Sequence, residues 1–247
     1  WKRGDLAAAL QRLWFAAIIA LASALLTFAI VRRGPWLAPL GIALALWVMA
    51  GALTEWATRG KLFAAGRQEI LRRAANLPRA AYGSMVAHFG MGLMVLGIVA
   101  TTAYQSEQIV AMKPGETASI AGYALTFRGV APQQGPNYTE QVGVFAVTQN
   151  GQAVTDLSPT KRLYDTPRQA TTEAGIHAAI SGDLYVVLGD AQSDGGYTVR
   201  LYFHPLVRFI WLGAVIMGLG GALSLSDRRL RVGAPRRARV PHPAPAE

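Results

Sequence analysis

Four long apolar runs dominate the hydropathy pattern of this chain. They cover residues 13–31, 36–53, 84–104 and 209–226, and none of them contains a charged side chain. A helix needs roughly 20 apolar residues to cross a bilayer, so each run is long enough to span one. We therefore expect three transmembrane helices in 13–104 and a fourth in 205–226. Buried core helices of a soluble domain are the alternative, which four such runs make unfavourable.

The segment 105–204 has a different pattern, in which short alternating runs are separated by Gly, Pro and Asn. This period of two predicts strands, and the clearest are 123–130, 141–148, 184–188 and 197–203. Asn150 and Gly151 lie between apolar runs and predict a hairpin turn. Residues 171–181 predict a short helix. The segment as a whole predicts a small antiparallel barrel or sandwich, with the OB fold as one candidate.

Composition supports an α+β membrane protein. Hydrophobic residues make up 52% of the 247 residues, charged residues only 15%, and the mean hydropathy is +0.26. Such values are unusual for a soluble domain. The chain contains no cysteine, which excludes disulfides, thiolate metal sites and cysteine nucleophiles within it.

Basic residues predict the orientation of the spans. Lys and Arg are concentrated in the loop 54–83 and in the tail 227–247, and short cytoplasmic loops are enriched in these residues. Both segments and the lead-in 1–12 are therefore expected in the cytoplasm, with the β-rich segment in the periplasm. Arg32 and Arg33, in the first outer loop, run against this rule. Contact with anionic lipid accounts for the formal charge of +10, so no nucleic-acid partner is expected.

His88 is the strongest candidate for a functional residue in this sequence. It lies in the third apolar run, where an ionisable side chain is costly unless something binds it. Gly90, Gly92 and Gly97 leave the same helix with little side-chain bulk. This combination allows two interpretations, namely close helix packing with a structural imidazole, or room for a flat cofactor with the imidazole as an axial ligand. Met91, one turn away, is a rival ligand or an ordinary apolar residue.

The remaining candidates are weaker. His177 in the predicted short helix, His204 before the last span and His242 in the tail are expected to be surface residues, because none has a metal-ligand partner at suitable spacing. The chain has no nucleophile elbow, phosphate-cradling glycine loop or His-Glu-x-x-His pattern, which leaves hydrolase and nucleotide-binding functions without support. A transporter half would need intramembrane carboxylates, and only Glu55 at a helix end comes near.

Six strings occur in order around the β-rich segment: GPNYTE (135–140), PTKRLY (159–164), TTEAGI (171–176), GDLYVVLGD (182–190), YFHPLVRFIWLG (202–213) and LSDRR (225–229). Together they resemble the C-terminal part of the cytochrome c-type biogenesis protein CcmF family, over about 36–229. That family is the haem lyase subunit of cytochrome c maturation. The chain starts at Trp1 without a signal-like pattern, so we expect it to be the C-terminal part of a longer polypeptide.

The resemblance implies a bacterial inner-membrane protein that assists covalent thioether attachment of haem to apocytochrome c. It also implies a membrane haem b held by two histidines from different spans. One of these lies in an Ala-His-Phe-Gly context, which is matched here by residues 87–90, so the resemblance makes His88 an axial ligand of the haem iron. The second ligand and the family's substrate-haem motif are expected outside this chain. Its catalytic residues are therefore unknown, and this part alone is expected to be inactive.

The implied partners are the haem chaperone and the apocytochrome-presenting subunits of the maturation system, apocytochrome c, membrane lipid and quinol. Candidate contact residues in the outer domain are Asn137, Tyr138, Arg200 and Tyr202. Edge-strand polarity and turn chemistry are the alternative explanation for these four. The alternative function is a non-enzymatic membrane-anchored scaffold whose β domain docks maturation partners, with His88 only bridging helices.

Overall fold

The computed structural model describes residues 6–31, 34–60 and 66–227. Residues 1–5 of the predicted lead-in, Arg32 and Arg33, most of the basic tail and His242 lie outside this description. The described part contains five α-helices: α1 (Leu6–Ile30), α2 (Ala38–Arg59), α3 (Arg67–Asn76), α4 (Arg79–Tyr104) and α5 (Arg208–Leu225). By length and composition, α1, α2, α4 and α5 can each cross a membrane.

The helices extend beyond the apolar runs on their charged side. Helix α2 continues to Arg59 and α4 begins at Arg79, while α3 occupies part of the predicted loop 54–83. Hydropathy marks only the stretch suited to lipid, whereas Glu and Arg are good helix formers that prolong the helix. Ion pairs one turn apart support these ends, as between Glu55 and Arg59 and between Glu69 and Arg73.

The four long helices form a single layer in the order α1, α2, α4, α5, in which each helix packs mainly on its neighbours. Close approach of α4 and α5 depends on facing glycines. A Cβ added to Gly90 would lie 2.7 Å from the Gly213 carbonyl oxygen, and one added to Gly83 would lie 2.6 Å from that of Gly220. The two contacts are seven residues apart on each helix, so the backbones touch along one continuous seam.

Residues between α4 and α5 form a two-sheet antiparallel sandwich. Its strands are β1 (Ser106–Met112), β2 (Thr117–Ile120), β3 (Tyr123–Gln134), β4 (Tyr138–Gln149), β5 (Gln152–Leu157), β6 (Thr160–Tyr164), β7 (Gln169–Glu173), β8 (Gly175–Ala179), β9 (Gly182–Ala191) and β10 (Tyr197–Pro205). The four-stranded sheet has the order β1-β10-β9-β8. The second sheet has the order β2-β3-β4-β6-β7, with β5 also paired to β4.

Alternating side chains from both sheets meet in one core. Leu125 and Phe127 of β3, Phe145 of β4, and Leu184 and Leu201 of the other sheet are completely buried. The Phe127 and Phe145 rings stack with centroids 4.9 Å apart. Each of these strands buries only one face. The alternation of apolar and polar residues therefore determines both the pairing register and which faces of the two sheets pack together.

The structure confirms the predicted fold class, with four long apolar helices and a small antiparallel β domain. The four predicted strands lie within β3, β4, β9 and β10. Asn150 and Gly151 both have positive φ, as the tight turn between β4 and β5 requires.

The helix predicted for residues 171–181 is wrong. This segment forms the end of β7, strand β8 and the turn into β9, with His177 on β8 facing Leu184 of β9. Its alanines favour a helix by local propensity. Pairing with the central strand β9 decides the outcome instead, since tertiary context overrides weak propensity.

The β domain is joined tightly to the helical layer. Strand β1 starts two residues after α4 ends, β10 ends shortly before α5, and the two strands pair from Ser106 opposite Phe203 onward. The Thr101 hydroxyl on α4 also donates a 2.9 Å hydrogen bond to the Pro205 carbonyl oxygen. The domain therefore continues the α4–α5 pair without an intervening linker.

Candidate functional site: the open face of α4

His88 lies in the third turn of α4, and its side chain is exposed on the surface of the helical layer. Its Nδ1 atom is 2.7 Å from the carbonyl oxygen of Ser84, one turn earlier on the same helix. A carbonyl only accepts, so this contact requires the proton on Nδ1. The lone pair of the neutral ring is then on Nε2, the nitrogen that His88 can offer to an electrophile.

The imidazole belongs to a face of α4 that no other described helix covers. Ser84, His88, Met91, Val95 and Ile98 follow one another at spacings of three and four residues, which places them on one side of the helix. Met91 is 42% exposed and Ile98 is 40% exposed. Helices α2 and α5 pack on the flanks of α4, so this open face points out of the layer.

The glycines near His88 serve helix packing. Gly90 and Gly97 contact α5, where an added Cβ would lie 2.6 Å and 2.8 Å from backbone nitrogens of Met217 and Ile210. Gly92 faces α2, where an added Cβ would lie 2.8 Å from the Ala45 carbonyl oxygen. Of the two interpretations of these glycines, the structure supports close packing of helices. His88 itself lies on the open face instead.

The donor set of this face fits one axial ligand of a metal cofactor. In the neutral tautomer with its proton on Nδ1, His88 offers Nε2 while the other ring nitrogen is already hydrogen-bonded to Ser84, and this arrangement is typical of metal-binding histidines. Across 6–31, 34–60 and 66–227, no three His, Asp or Glu side chains gather into a metal site. The described residues therefore offer a single ligand and no complete coordination shell. Met91 is exposed on the same face and offers a thioether one turn away.

The other described histidines are in the β domain. His177 contacts the Tyr123 ring at 5.8 Å, and His204 contacts the Tyr185 ring edge-on at 5.0 Å. The Nδ1 atom of His204 is buried and has no hydrogen-bond partner in the described part of the chain. Both rings are thus packed against aromatic side chains, well away from the open face of α4.

The candidate partner-contact residues fall on two different sheets. Tyr138 begins β4, after the turn that contains Asn137, whereas Arg200 and Tyr202 lie on β10 of the four-stranded sheet. Asn137 accepts a backbone hydrogen bond from Asp165 through its own carbonyl oxygen. Arg200 is exposed, and the Tyr202 ring stacks parallel to His204. The structure therefore does not bring the four residues together in one surface.

Tyr138 belongs to a charged aromatic cluster that the sequence analysis missed. The Arg162 guanidinium lies 4.8 Å from the centre of the Tyr138 ring, and its Nε donates a 2.8 Å hydrogen bond to the buried Glu140 carboxylate. This carboxylate raises the pKa of Arg162 further above its usual value. Tyr164 packs edge-on against Tyr138. The cluster depends on β4 and β6 pairing Glu140 opposite Arg162, which local sequence does not reveal.

These features define a class of protein, a layer of membrane-type helices that carries an antiparallel sandwich inserted between its last two members. Residues 103–205 match the family described as the CcmF C-terminal beta-sandwich. The chain is 22% identical to a solved structure of "Cytochrome c Heme Lyase CcmF", with a TM-score of 0.67 over 92% of this chain and 36% of that one. This likeness establishes the shared fold.

Sequence relatives support the same assignment. The chain is 47% identical to the cytochrome c-type biogenesis protein CycK of Rhizobium meliloti, over 97% of this chain and 35% of CycK. It is 37% identical to CcmF of Pseudomonas aeruginosa, over 79% of this chain and 29% of that protein. The chain thus spans about a third of the length of these relatives. It belongs to the CcmF family and corresponds to its C-terminal part, as the resemblance predicted.

Proposed function

We propose that this chain is the C-terminal portion of a cytochrome c haem lyase subunit, which assists covalent thioether attachment of haem to apocytochrome c. The relatives are cytochrome c biogenesis proteins, and this portion includes their β-sandwich domain. In this proposal the remaining machinery, including the catalytic residues, comes from the part of the protein that the chain does not cover. The chain contributes a membrane anchor, an outer domain and one haem ligand.

His88 is, in this proposal, one axial ligand of a membrane haem b. The main support for this role is the 2.7 Å contact between His88 Nδ1 and the Ser84 carbonyl oxygen, on a helix face that is otherwise open. The carbonyl holds the ring in the tautomer with a free Nε2 and limits its rotation, so the nitrogen is aimed away from the helical layer. When bound, a haem iron would supply one-electron redox chemistry at this position.

The proposal places the second axial ligand outside this chain. No other described helix carries a histidine, and the open face leaves room beside His88 for another span of the parent protein. A helix bearing a histidine on that side would supply the second ligand and would cover Met91 and Val95.

Orientation and partners follow from the same proposal. The basic helix α3 and the ends of α2 and α4 beside it lie on the cytoplasmic side of a bacterial inner membrane, and the β domain lies in the periplasm. There the domain would meet the haem chaperone, the apocytochrome-presenting subunits and apocytochrome c. The lipid bilayer surrounds α1, α2, α4 and α5, and quinol is the proposed electron source.

The test is a spectrum of the purified parent protein. In detergent it should show a b-type Soret band, and His88→Ala should abolish or shift this band because the iron loses a ligand. His177→Ala is the matched control, since His177 packs on Tyr123 in the β domain. Met91→Leu should also leave the band unchanged. An unaltered spectrum in the folded His88→Ala variant would remove the haem role from this residue.

A scaffold without a haem role is the second candidate, favoured by the exposed Arg200 and the half-exposed Tyr202 on the four-stranded sheet. In that case His88→Ala should leave the spectrum intact. Arg200→Ala with Tyr202→Ala should then abolish co-purification of the maturation partners. Arg128→Ala serves as the control, because it also removes an exposed arginine from the β domain. Retained co-purification in the double variant would exclude this surface as the docking site.

A further inference from the structure

We propose that the turn between β8 and β9 is a membrane anchor that inserts Ile180 into the outer lipid-water interface. Ile180 lies at the tip of this turn and is 78% exposed. The partner in this proposal is the lipid bilayer itself. The inference rests on the membrane placement in the proposed function, but it is independent of the haem role of His88.

The turn is fixed against the start of α5. The Leu206 amide donates a 3.2 Å hydrogen bond to the Ser181 carbonyl oxygen, next to the tip. Gly182 packs so closely that an added Cβ would lie 2.7 Å from the His204 carbonyl oxygen. The height of Ile180 along the membrane normal is therefore set by the position of Leu206.

Leu206 lies at the outer edge of the expected hydrocarbon slab. At the other end of α5, Asp227 accepts a 3.0 Å hydrogen bond from the Ala80 amide beside Arg79, so charged residues mark the inner edge near Ser226. Helix α5 has 18 residues, which corresponds to about 27 Å, close to the roughly 30 Å of a bilayer hydrocarbon core, and Leu206 lies just before its start. The turn therefore reaches the interface while the rest of β8 leads away from it.

Charge near the tip is neutralised, as insertion requires. Asp183 follows the turn, and its carboxylate accepts a 3.0 Å hydrogen bond from the Arg208 guanidinium. The Asp183 side chain is only 12% exposed. With this carboxylate paired and covered, the group presented at the tip is the isoleucine side chain. An exposed isoleucine at the interface gains from contact with acyl chains, whereas the same side chain in water gains nothing.

Because the chain has no cysteine, single-cysteine variants can test the depth of the turn. We would label Ile180→Cys with a polarity-sensitive fluorophore in the full chain, reconstituted in phosphatidylcholine and phosphatidylglycerol vesicles. Ile176→Cys is the matched control. It is the same residue type and is also exposed, but it lies on strand β8, which leads into the turn, about 13 Å further from the membrane. Val215→Cys, exposed near the middle of α5, reports whether the helix spans.

The expected result is several-fold stronger quenching of the label at 180 than of the label at 176 by a nitroxide at the headgroup or on the first acyl carbons. The label at 215 should respond to a deep acyl nitroxide. Quenching at 215 with equal, weak quenching at 180 and 176 would overturn the anchor alone. No quenching at 215 would overturn the membrane placement and the anchor with it. Ser181→Cys in the same turn is the substitute if Ile180→Cys does not fold.

Discussion

The β sandwich and the helical layer contain similar apolar side chains but place them differently. In the sandwich, Phe127 and Phe145 have no exposed surface at all. In the layer, Leu21, Leu26 and Leu219 are each more than 60% exposed. The sandwich buries most of its large apolar side chains in its own core, as a domain surrounded by water must. The helical layer leaves many of them exposed for contact with lipid or with other helices. The helices therefore depend on close backbone packing, and the strands on side-chain burial.

The largest effect should come from opening the sandwich core. Phe127→Ala removes a fully buried ring that stacks on Phe145, at an expected cost of about 3–5 kcal/mol in the free energy of unfolding. Hydrogen exchange across the β strands during denaturation measures this loss. Leu219→Ala, on an exposed helix surface, should cost less than about 0.5 kcal/mol. Equal losses in both variants would contradict the contrast between the regions.

Filling the glycine seam should disturb the helices through their backbones. Gly90→Val places side-chain atoms where Met217 and Gly213 backbone atoms now lie, and such overpacking costs about 1–3 kcal/mol. Gly221→Val is the matched control on α5, because an added Cβ there meets nothing within 4 Å. Thermal unfolding in detergent should separate the two variants. If both unfold at the same temperature, the seam does not hold α4 and α5 together.

A smaller effect is expected where the end of α5 meets the start of α4. The Asp227 carboxylate accepts a hydrogen bond from the Ala80 amide in the first turn of α4, and loss of such a cap costs about 1 kcal/mol. Asp227→Ala should lower the unfolding temperature, whereas Asp227→Asn keeps an acceptor oxygen and should lower it less. The reverse order would show that the hydrogen bond is not the source of stability.

The smallest effect concerns an exposed ion pair in the sandwich. Lys113, together with the Gly196 amide, lowers the pKa of Asp194 below its ordinary value of 3.8. A lowered pKa in the folded state stabilises the protein at higher pH, and this contribution disappears as pH falls through the folded pKa. Wild type should therefore exceed Asp194→Asn slightly in stability at pH 7, and the difference should vanish as pH falls through the lowered pKa of Asp194. Lys113→Gln should show a smaller pH dependence than wild type.

The apolar runs predicted the four long helices, because a helix that crosses a bilayer needs a minimum number of consecutive apolar residues and such a run is visible in the sequence. The strands were predictable where one face is buried, as in β10, whose Val199 and Leu201 are buried on either side of the exposed Arg200. Helix α3 was missed because its apolar positions are few and lie among arginines. Residues 171–181 were misread because the partner strand β9, which determines their conformation, follows them in the chain.

His88 could be singled out from sequence because a lone histidine in an uncharged run is costly. The direction in which the His88 side chain points could not be predicted, because it depends on which sides of α4 pack against α2 and α5. The Ser84 contact was equally hidden, because any residue supplies a backbone carbonyl. Arg162 and Glu140 are far apart in the chain and meet only through strand register, so no local pattern marks their cluster.

The pairing of β1 with β10 has a consequence for how such a protein can be rebuilt. Both connections to the helices leave the sandwich side by side, with Ser106 opposite Phe203. Excision of everything between them and closure by a short turn would leave a simple helical hairpin with its glycine contacts intact. Because its two chain ends are adjacent, the sandwich could be deleted or replaced by another domain without any change to the sequence of the helices.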